Sequence, residues 1–195
     1  MMIYYFFYSY RPATAATITL LVIWQSHYAH RVFIYPFMIR GNNRVPLVTV
    51  LLALLFNFIN TYVQGRWLFS LAPESLYTAS WLHDPRFVIG VTVFFAGYAL
   101  NKHADHRLRN LRTPGESGYA IPGGGVFEYI SCPNYLGEII TWTGWAIATW
   151  SLAGVFFLVW TLANLGPRAV AHHRWYRQTF PDYPEQRKAL IPYIL

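Results

Sequence analysis

The chain has 195 residues, 55% of them hydrophobic and only 12% charged, with a formal net charge of +7. That is too little charge to cover a water-soluble globule, and the basic residues flank apolar stretches with no soluble domain to present them, which excludes nucleic acid and makes the lipid bilayer a partner. Cys132 is the only cysteine, so intramolecular disulfides and cysteine-held metal clusters are excluded as well.

In chain order, residues 1–10 are apolar but lack a basic leader and a small-residue cleavage site, so they read as mature protein. Long apolar stretches follow at 14–38, 45–71, 87–100 with a polar extension, and 135–165. A bilayer crossing takes about 20 residues, and the last stretch is long enough to fold back near 150–154. The expected fold is an all-α polytopic transmembrane helix bundle with about five spans, forming a single membrane-embedded domain over 1–195. No internal repeat, heptad or low-complexity run is present.

The connections differ in character. Arg40-Gly41-Asn42-Asn43-Arg44 reads as a tight turn between antiparallel spans. The connection 72–86 carries Pro73, Glu74, Asp84 and Pro85, and its Tyr77 and Trp81 suit a membrane interface. Residues 113–125 end in Pro122-Gly123-Gly124-Gly125, a backbone able to approach a ligand closely. The basic segments 102–112 and 168–188 are expected on the cytoplasmic side, with 72–86 opposite them.

Three helices carry polar side chains at spacings of three and four, which share a face. Asn101, Asp105, Leu108 and Arg112 form one stripe, Asn134, Glu138 and Thr141 a second, and Arg168, His172 and Tyr176 a third. Together they are suited to line one pocket. Ionisable groups beside a span are costly and point to function. The plainer readings are that Glu138 complements a helix N-terminus and that Asp105 and Arg112 form a solvated ion pair.

His103 and His106 lie three apart and His172 and His173 are adjacent, which brings membrane di-iron oxygenases into comparison. His27, His30 and His83 add no box spacing, and adjacent helical histidines point about 100° apart, so no metal site is expected. The cluster His27-Tyr28-Ala29-His30-Arg31 is either an interfacial belt or places the Tyr28 phenol to donate to a ligand carbonyl. Periodicity does not choose between them.

Several segments resemble the steroid 5α-reductase family. They are Asp84-Pro85-Arg86-Phe87, Asn101-x-His103-x-Asp105-x-x-Leu108-Arg109-x-Leu111-Arg112-x-Pro114-Gly115, Tyr119-x-Ile121-Pro122-x-Gly124-Gly125-x-Phe127-x-Tyr129 and Asn134-Tyr135-Leu136-Gly137-Glu138. Arg168-Ala169 followed by His172-His173-Arg174-x-Tyr176, and the ending from Asp182 to Pro192, extend the match from about His27 to the C-terminus.

The resemblance implies NADPH-dependent reduction of the 4,5 double bond of a lipophilic 3-oxo-Δ4 steroid. Carried over by position, Asn101, Asp105, Arg112, Tyr119, Asn134, Glu138, Arg168, His172 and Tyr176 bind the cofactor. Tyr28 polarises the substrate carbonyl. Residues 1–100 would be the substrate-side spans and 101–195 the NADPH-binding region. Because a Rossmann glycine fingerprint is lacking, helices and the glycine-rich loop would hold the dinucleotide.

The sequence also departs from the family, which has seven spans and pairs its tyrosine with a glutamate on an earlier one. No acidic residue precedes Glu74 here, and a chain begun late is the expected explanation. Ala120 and Thr141 stand where better-known members carry arginine and glutamate. Competing readings are reduction of another lipid enone or enoyl thioester, an isoprenylcysteine-type membrane methyltransferase, and a non-catalytic assembly partner.

Overall fold

Local chemistry at the helix ends sets the elements. A computed structural model of the chain describes residues 1–38, 45–111 and 119–195. Its helices are α1 (Met2–Tyr8), α2 (Ala15–Ala29), α3 (Tyr35–Met38), α4 (Leu47–Arg66), α5 (Pro85–Arg109), α6 (Pro133–Thr149) and α7 (Leu152–Thr179). Thr14 caps α2 in a reciprocal pair with Thr17, and Asp84 caps α5 ahead of Pro85. Trp150, at φ 45°, ends α6 in the left-handed region, and Ser151 at once caps α7 by accepting from Gly154 N at 2.9 Å. The expected fold-back at 150–154 is this pair of caps.

The all-α expectation holds: among the described residues there is no strand, only an isolated bridge between Ile130 and Lys188. The helices fall where the apolar stretches lie, with α2 and α3 joined into one rod by a π-turn at His30–Ile34, and α4 extended by another at Trp67–Leu71. Two helical segments, Leu47–Leu71 and Leu152–Thr179, are long and apolar enough to cross a membrane. The turn expected at Arg40 to Arg44 lies outside the described residues, as does the first part of the loop 113–125.

What positions the site is the packing of α5 against α6. Gly90 and Gly97 on α5, and Gly137 and Gly144 on α6, each repeat at seven residues and face the opposite backbone. A Cβ added at Gly137 would sit 2.5 Å from Asn101 N, and one added at Gly97 would sit 2.7 Å from Gly137 O. Small residues thus let two antiparallel helices touch along their backbones, the usual means of gaining contact where burial from lipid contributes little. The seam sets Asn101 and Asp105 beside the first turns of α6.

Aromatic side chains fill the space between α2, α5, α6 and α7. Trp24 lies 4.9 Å from Trp145 and 5.3 Å from Trp142 between ring centroids, and Trp142 lies 4.2 Å from Phe157. α4 is different, because its buried residues are only Asn60, Gln64 and Gly65 while Leu51, Leu52, Leu55 and Phe58 are exposed. An outward apolar face of this size suits lipid.

Tyr77 and Trp81 depart from their expected interfacial placement. Both are buried, 3% exposed, with Tyr77 Oη donating to Thr149 O at 2.5 Å and Trp81 Nε1 to Ala148 O at 3.1 Å. They satisfy carbonyls freed at the C-terminal end of α6, a stronger demand than an interfacial position makes.

Candidate active site

The π-turn that follows α2 gives the site its first element. By inserting an extra residue per turn, it redirects the side chains after Ala29, as such turns often do at functional positions. Arg31 thereby reaches α6, where its Nη1 donates to Glu138 Oε1 at 3.1 Å. Trp142 Nε1 donates to the other oxygen of Glu138 at 3.1 Å, and His27 Nε2 stands 4.0 Å from it. The Glu138 carboxylate, with its side chain 9% exposed, is therefore held by two hydrogen bonds, one to each oxygen, with the His27 ring nearby. This goes beyond the helix-terminus reading, since its partners are side chains on α2 and α6.

Tyr28 is set against the aromatic wall next to this carboxylate. It stacks on Trp24 at 5.0 Å and lies 5.4 Å from the His27 ring and 6.2 Å from Trp142. Tyr28 is half-buried and packs against the aromatic core.

One turn toward the C-terminal end of α5, a second polar group assembles. Asn101 Nδ2 donates to Asn134 O at 3.0 Å, and Asn134 Nδ2 reaches Asp105 Oδ1 at 3.5 Å. Asn101 and Asp105 are buried, yet Asn101 Oδ1 and Asp105 Oδ2 make no hydrogen bond among the described residues. The same holds for His30 Nδ1, Lys102 Nζ and Arg109 Nη1. Buried polar atoms are ordinarily paired, so five together on α5 and the turn after α2 form a surface suited to a polar ligand.

The remaining expected site residues are spread along α7 and the glycine-rich loop. His172 Nε2 lies 3.2 Å from the Tyr135 hydroxyl, which links α7 to α6. Arg168 lies exposed on α7. Tyr176 stacks on Tyr183 at 5.3 Å, and Tyr119 meets Trp175 edge-on at 5.0 Å. Arg112 lies outside the described residues. The structure thus links Asn101, Asp105 and Asn134 directly, seats Glu138 one turn deeper with Arg31, and places Tyr119, Arg168 and Tyr176 farther along the α7 side.

The glycine-rich loop is pinned by two arginines that the sequence stripes did not single out. Arg107 Nη1 donates to Gly123 O at 2.9 Å, and the buried Arg187 donates to Pro122 O at 2.8 Å. Gly124 and Gly125 take φ of 80° and 59°, which favours glycine at both. Arg31, His27, Lys102 and Arg109 are likewise absent from the expected site. The cluster at His27 to Arg31 and the basic segment 102–112 carry the sequence signal for them, but a helical period does not specify which side chains meet on another helix.

Comparison with known proteins follows the same segments. A family profile described as 3-oxo-5-alpha-steroid 4-dehydrogenase matches residues 43–195. The chain is 46% identical over 184 residues to 3-oxo-5-alpha-steroid 4-dehydrogenase 1 of Macaca fascicularis, covering 94% of this chain and 69% of that protein. It is 44% identical over 184 residues to the Homo sapiens protein of the same name, covering 94% and 70%. Steroid 5-alpha-reductase DET2 of Solanum lycopersicum is 46% identical over 172 residues, covering 86% of this chain and 65% of that protein.

Proposed function

The chain belongs to the 3-oxo-5-alpha-steroid 4-dehydrogenase family, a family of oxidoreductases, and on that premise we propose that it reduces the 4,5 double bond of 3-oxo-Δ4 steroids with NADPH. The observation that carries this reading is the Arg31 to Glu138 ion pair at 3.1 Å. It ties the rod bearing Tyr28 to the helix bearing Asn134, which supports a carbonyl donor and a cofactor-binding stripe acting together.

The polar surface fits a phosphorylated dinucleotide. Asn101 Oδ1 and Asp105 Oδ2 offer acceptors for ribose hydroxyls or a carboxamide, while Lys102 Nζ and Arg109 Nη1 offer cationic donors for phosphate oxygens. Asn134, Glu138, His172, Arg168, Tyr119 and Tyr176 belong to this set by resemblance, as does Arg112. When bound, NADPH supplies a hydride to the β carbon of the enone. Negative charge then builds on the 3-carbonyl oxygen, and the Tyr28 O–H stabilises it by donating a hydrogen bond. The α carbon takes a proton from water as the ketone re-forms. An apolar lining would hold the steroid skeleton and limit water at the hydride-accepting carbon.

We further assign residues 1–100 to the substrate side and 101–195 to NADPH. The apolar helices and the family support membrane association. The finer reading is a multi-pass integral protein of the bacterial inner membrane or endoplasmic reticulum, with its basic segments and C-terminus on the cytoplasmic side. Product chromatography after incubation with NADPH and a panel of 3-oxo-Δ4 steroids tests the activity, with a 5α-reduced ketone as the expected product. Confirmed NADPH binding without turnover of any steroid would remove the substrate assignment.

A further inference from the structure

The outer face of α7 carries one stripe whose chemistry changes along its length. Leu152, Val155, Val159 and Leu162 recur at spacings of three and four, so they share a face, and all four are exposed. Gly166 and Val170 continue the same spacing. Nothing lies within 4 Å of a carbon added at Gly166, which leaves the helix surface open there. The stripe then ends in Arg174 and Arg177, both exposed.

Beside those arginines lies a groove of about 440 Å³, bounded by Val170, His173, Arg174, Arg177 and Gln178, all on α7. The His173 ring is fixed by its Nδ1, 2.6 Å from Ser131 Oγ. At about 100° per residue, the groove faces roughly opposite to Arg168, His172 and Tyr176, so it is separate from the proposed cofactor side. Neither Arg174 nor Arg177 makes an ion pair among the described residues, and α7 has no acidic side chain to neutralise them. Complementing the helix C-terminus accounts for Arg177 in the last turn, but not for Arg174 or for the apolar run that leads up to it.

We propose that this stripe binds an anionic phospholipid, with the two guanidinium groups on its phosphate and its acyl chains against the exposed apolar residues. Guanidinium groups match phosphate oxygens with paired, charge-assisted hydrogen bonds. One leaflet of hydrocarbon, about 15 Å deep, spans about ten helical residues, so chains that start near Val170 lie along Leu162 and Val159. A soluble anion would use the arginines and leave that run idle. The cytoplasmic leaflet, where these arginines are assigned, is the one rich in anionic lipids. The proposal rests on the membrane reading of α7 and not on the reductase reading.

The test reconstitutes the full chain in phosphatidylcholine vesicles holding a trace of phosphatidylglycerol with a photoreactive acyl chain. Peptide mapping should place the adduct within residues 159–170. Added phosphatidylglycerol should suppress it, and the same mole fraction of zwitterionic phosphatidylethanolamine should not. Arg174→Gln and Arg177→Gln should each weaken that competition about fivefold, and about 25-fold together, the usual effect of removing basic residues that face anionic lipid. Arg168→Gln, on the opposite face of the same helix, should leave it unchanged.

Adducts found only elsewhere, or equal suppression by phosphatidylethanolamine, would overturn the site. An equal loss in Arg168→Gln would overturn it as well, because the attraction would then belong to a diffuse positive surface. Suppression by soluble glycerol phosphate as strong as by phosphatidylglycerol would replace the lipid with a soluble anion. A photoreactive phosphatidylcholine checks the membrane reading separately, since it should label the outward face of α4 whatever binds α7. Neither NADPH nor steroid enters the assay, so its outcome is independent of reductase activity.

Discussion

Arg31 and Glu138 stand 107 residues apart in sequence and meet at 3.1 Å. Their ion pair joins the π-turn after α2 to the second turn of α6. It also supplies the carboxylate nearest Tyr28 with a cation, so that the phenol is not left facing an uncompensated charge.

Replacing Arg31 should therefore destabilise the bundle as well as the site. Arg31→Leu is expected to cost about 2 kcal/mol. That is below the ~3–5 kcal/mol for breaking a fully buried pair, because the Arg31 side chain is 45% exposed. Adding Glu138→Gln should recover much of that loss by removing the stranded charge. Thermal unfolding in detergent across this double-mutant cycle checks both values.

Tyr28→Phe should lower kcat by about 100-fold, the usual effect of removing one donor from a developing oxyanion, with NADPH affinity unchanged. Steady-state kinetics combined with cofactor-fluorescence titration measure the two effects separately. Equal losses in both would make Tyr28 a packing residue.

Asn101→Ala and Asp105→Ala should each weaken NADPH binding by about tenfold, and their combination should lose less than the product of the two. The reason is their shared partner, Asn134, which accepts from one through its backbone and donates to the other through its side chain. Isothermal titration of the single and double variants tests this.

Gly137→Val forces a side chain into the α5 backbone at Asn101. Overpacking of this kind is expected to cost about 1–3 kcal/mol, and NADPH affinity should fall with it because Asn101 is the residue displaced. The substitution Gly166→Ala is the control, as nothing lies within 4 Å of the added carbon.

At the opposite end of α5, hydrogen bonds from Arg86 hold the Asp84 carboxyl down to about 2. Its folded value lies below the unfolded one, so its contribution to stability is present above about pH 4 and is lost as the pH falls through about 2. The Asp84→Asn protein should be less stable than the parent at neutral pH, and the two unfolding temperatures should converge over that acidic range. A gap that stays constant down to pH 2 would mean that the cap acts without its charge.

The sequence by itself determined the elements of this protein. Hydrophobic runs of bilayer length placed the long helices, Pro85, Pro133 and the fold-back after Thr149 punctuated them, and four-residue spacing put Asn101 with Asp105 and Asn134 with Glu138. These are properties of a single helix, which its own sequence encodes. The tertiary structure decided which faces meet. It paired Arg31 with Glu138, joined α5 to α6 through the Gly90, Gly97, Gly137 and Gly144 seam, and drew Tyr77 and Trp81 inside. In a water-soluble protein the apolar stripe of each helix marks its inward side. Here lipid is as apolar as the core, so the pattern that marks α2 and α5 as helices carries little information about their rotation, and only packing and hydrogen bonding between helices supply it.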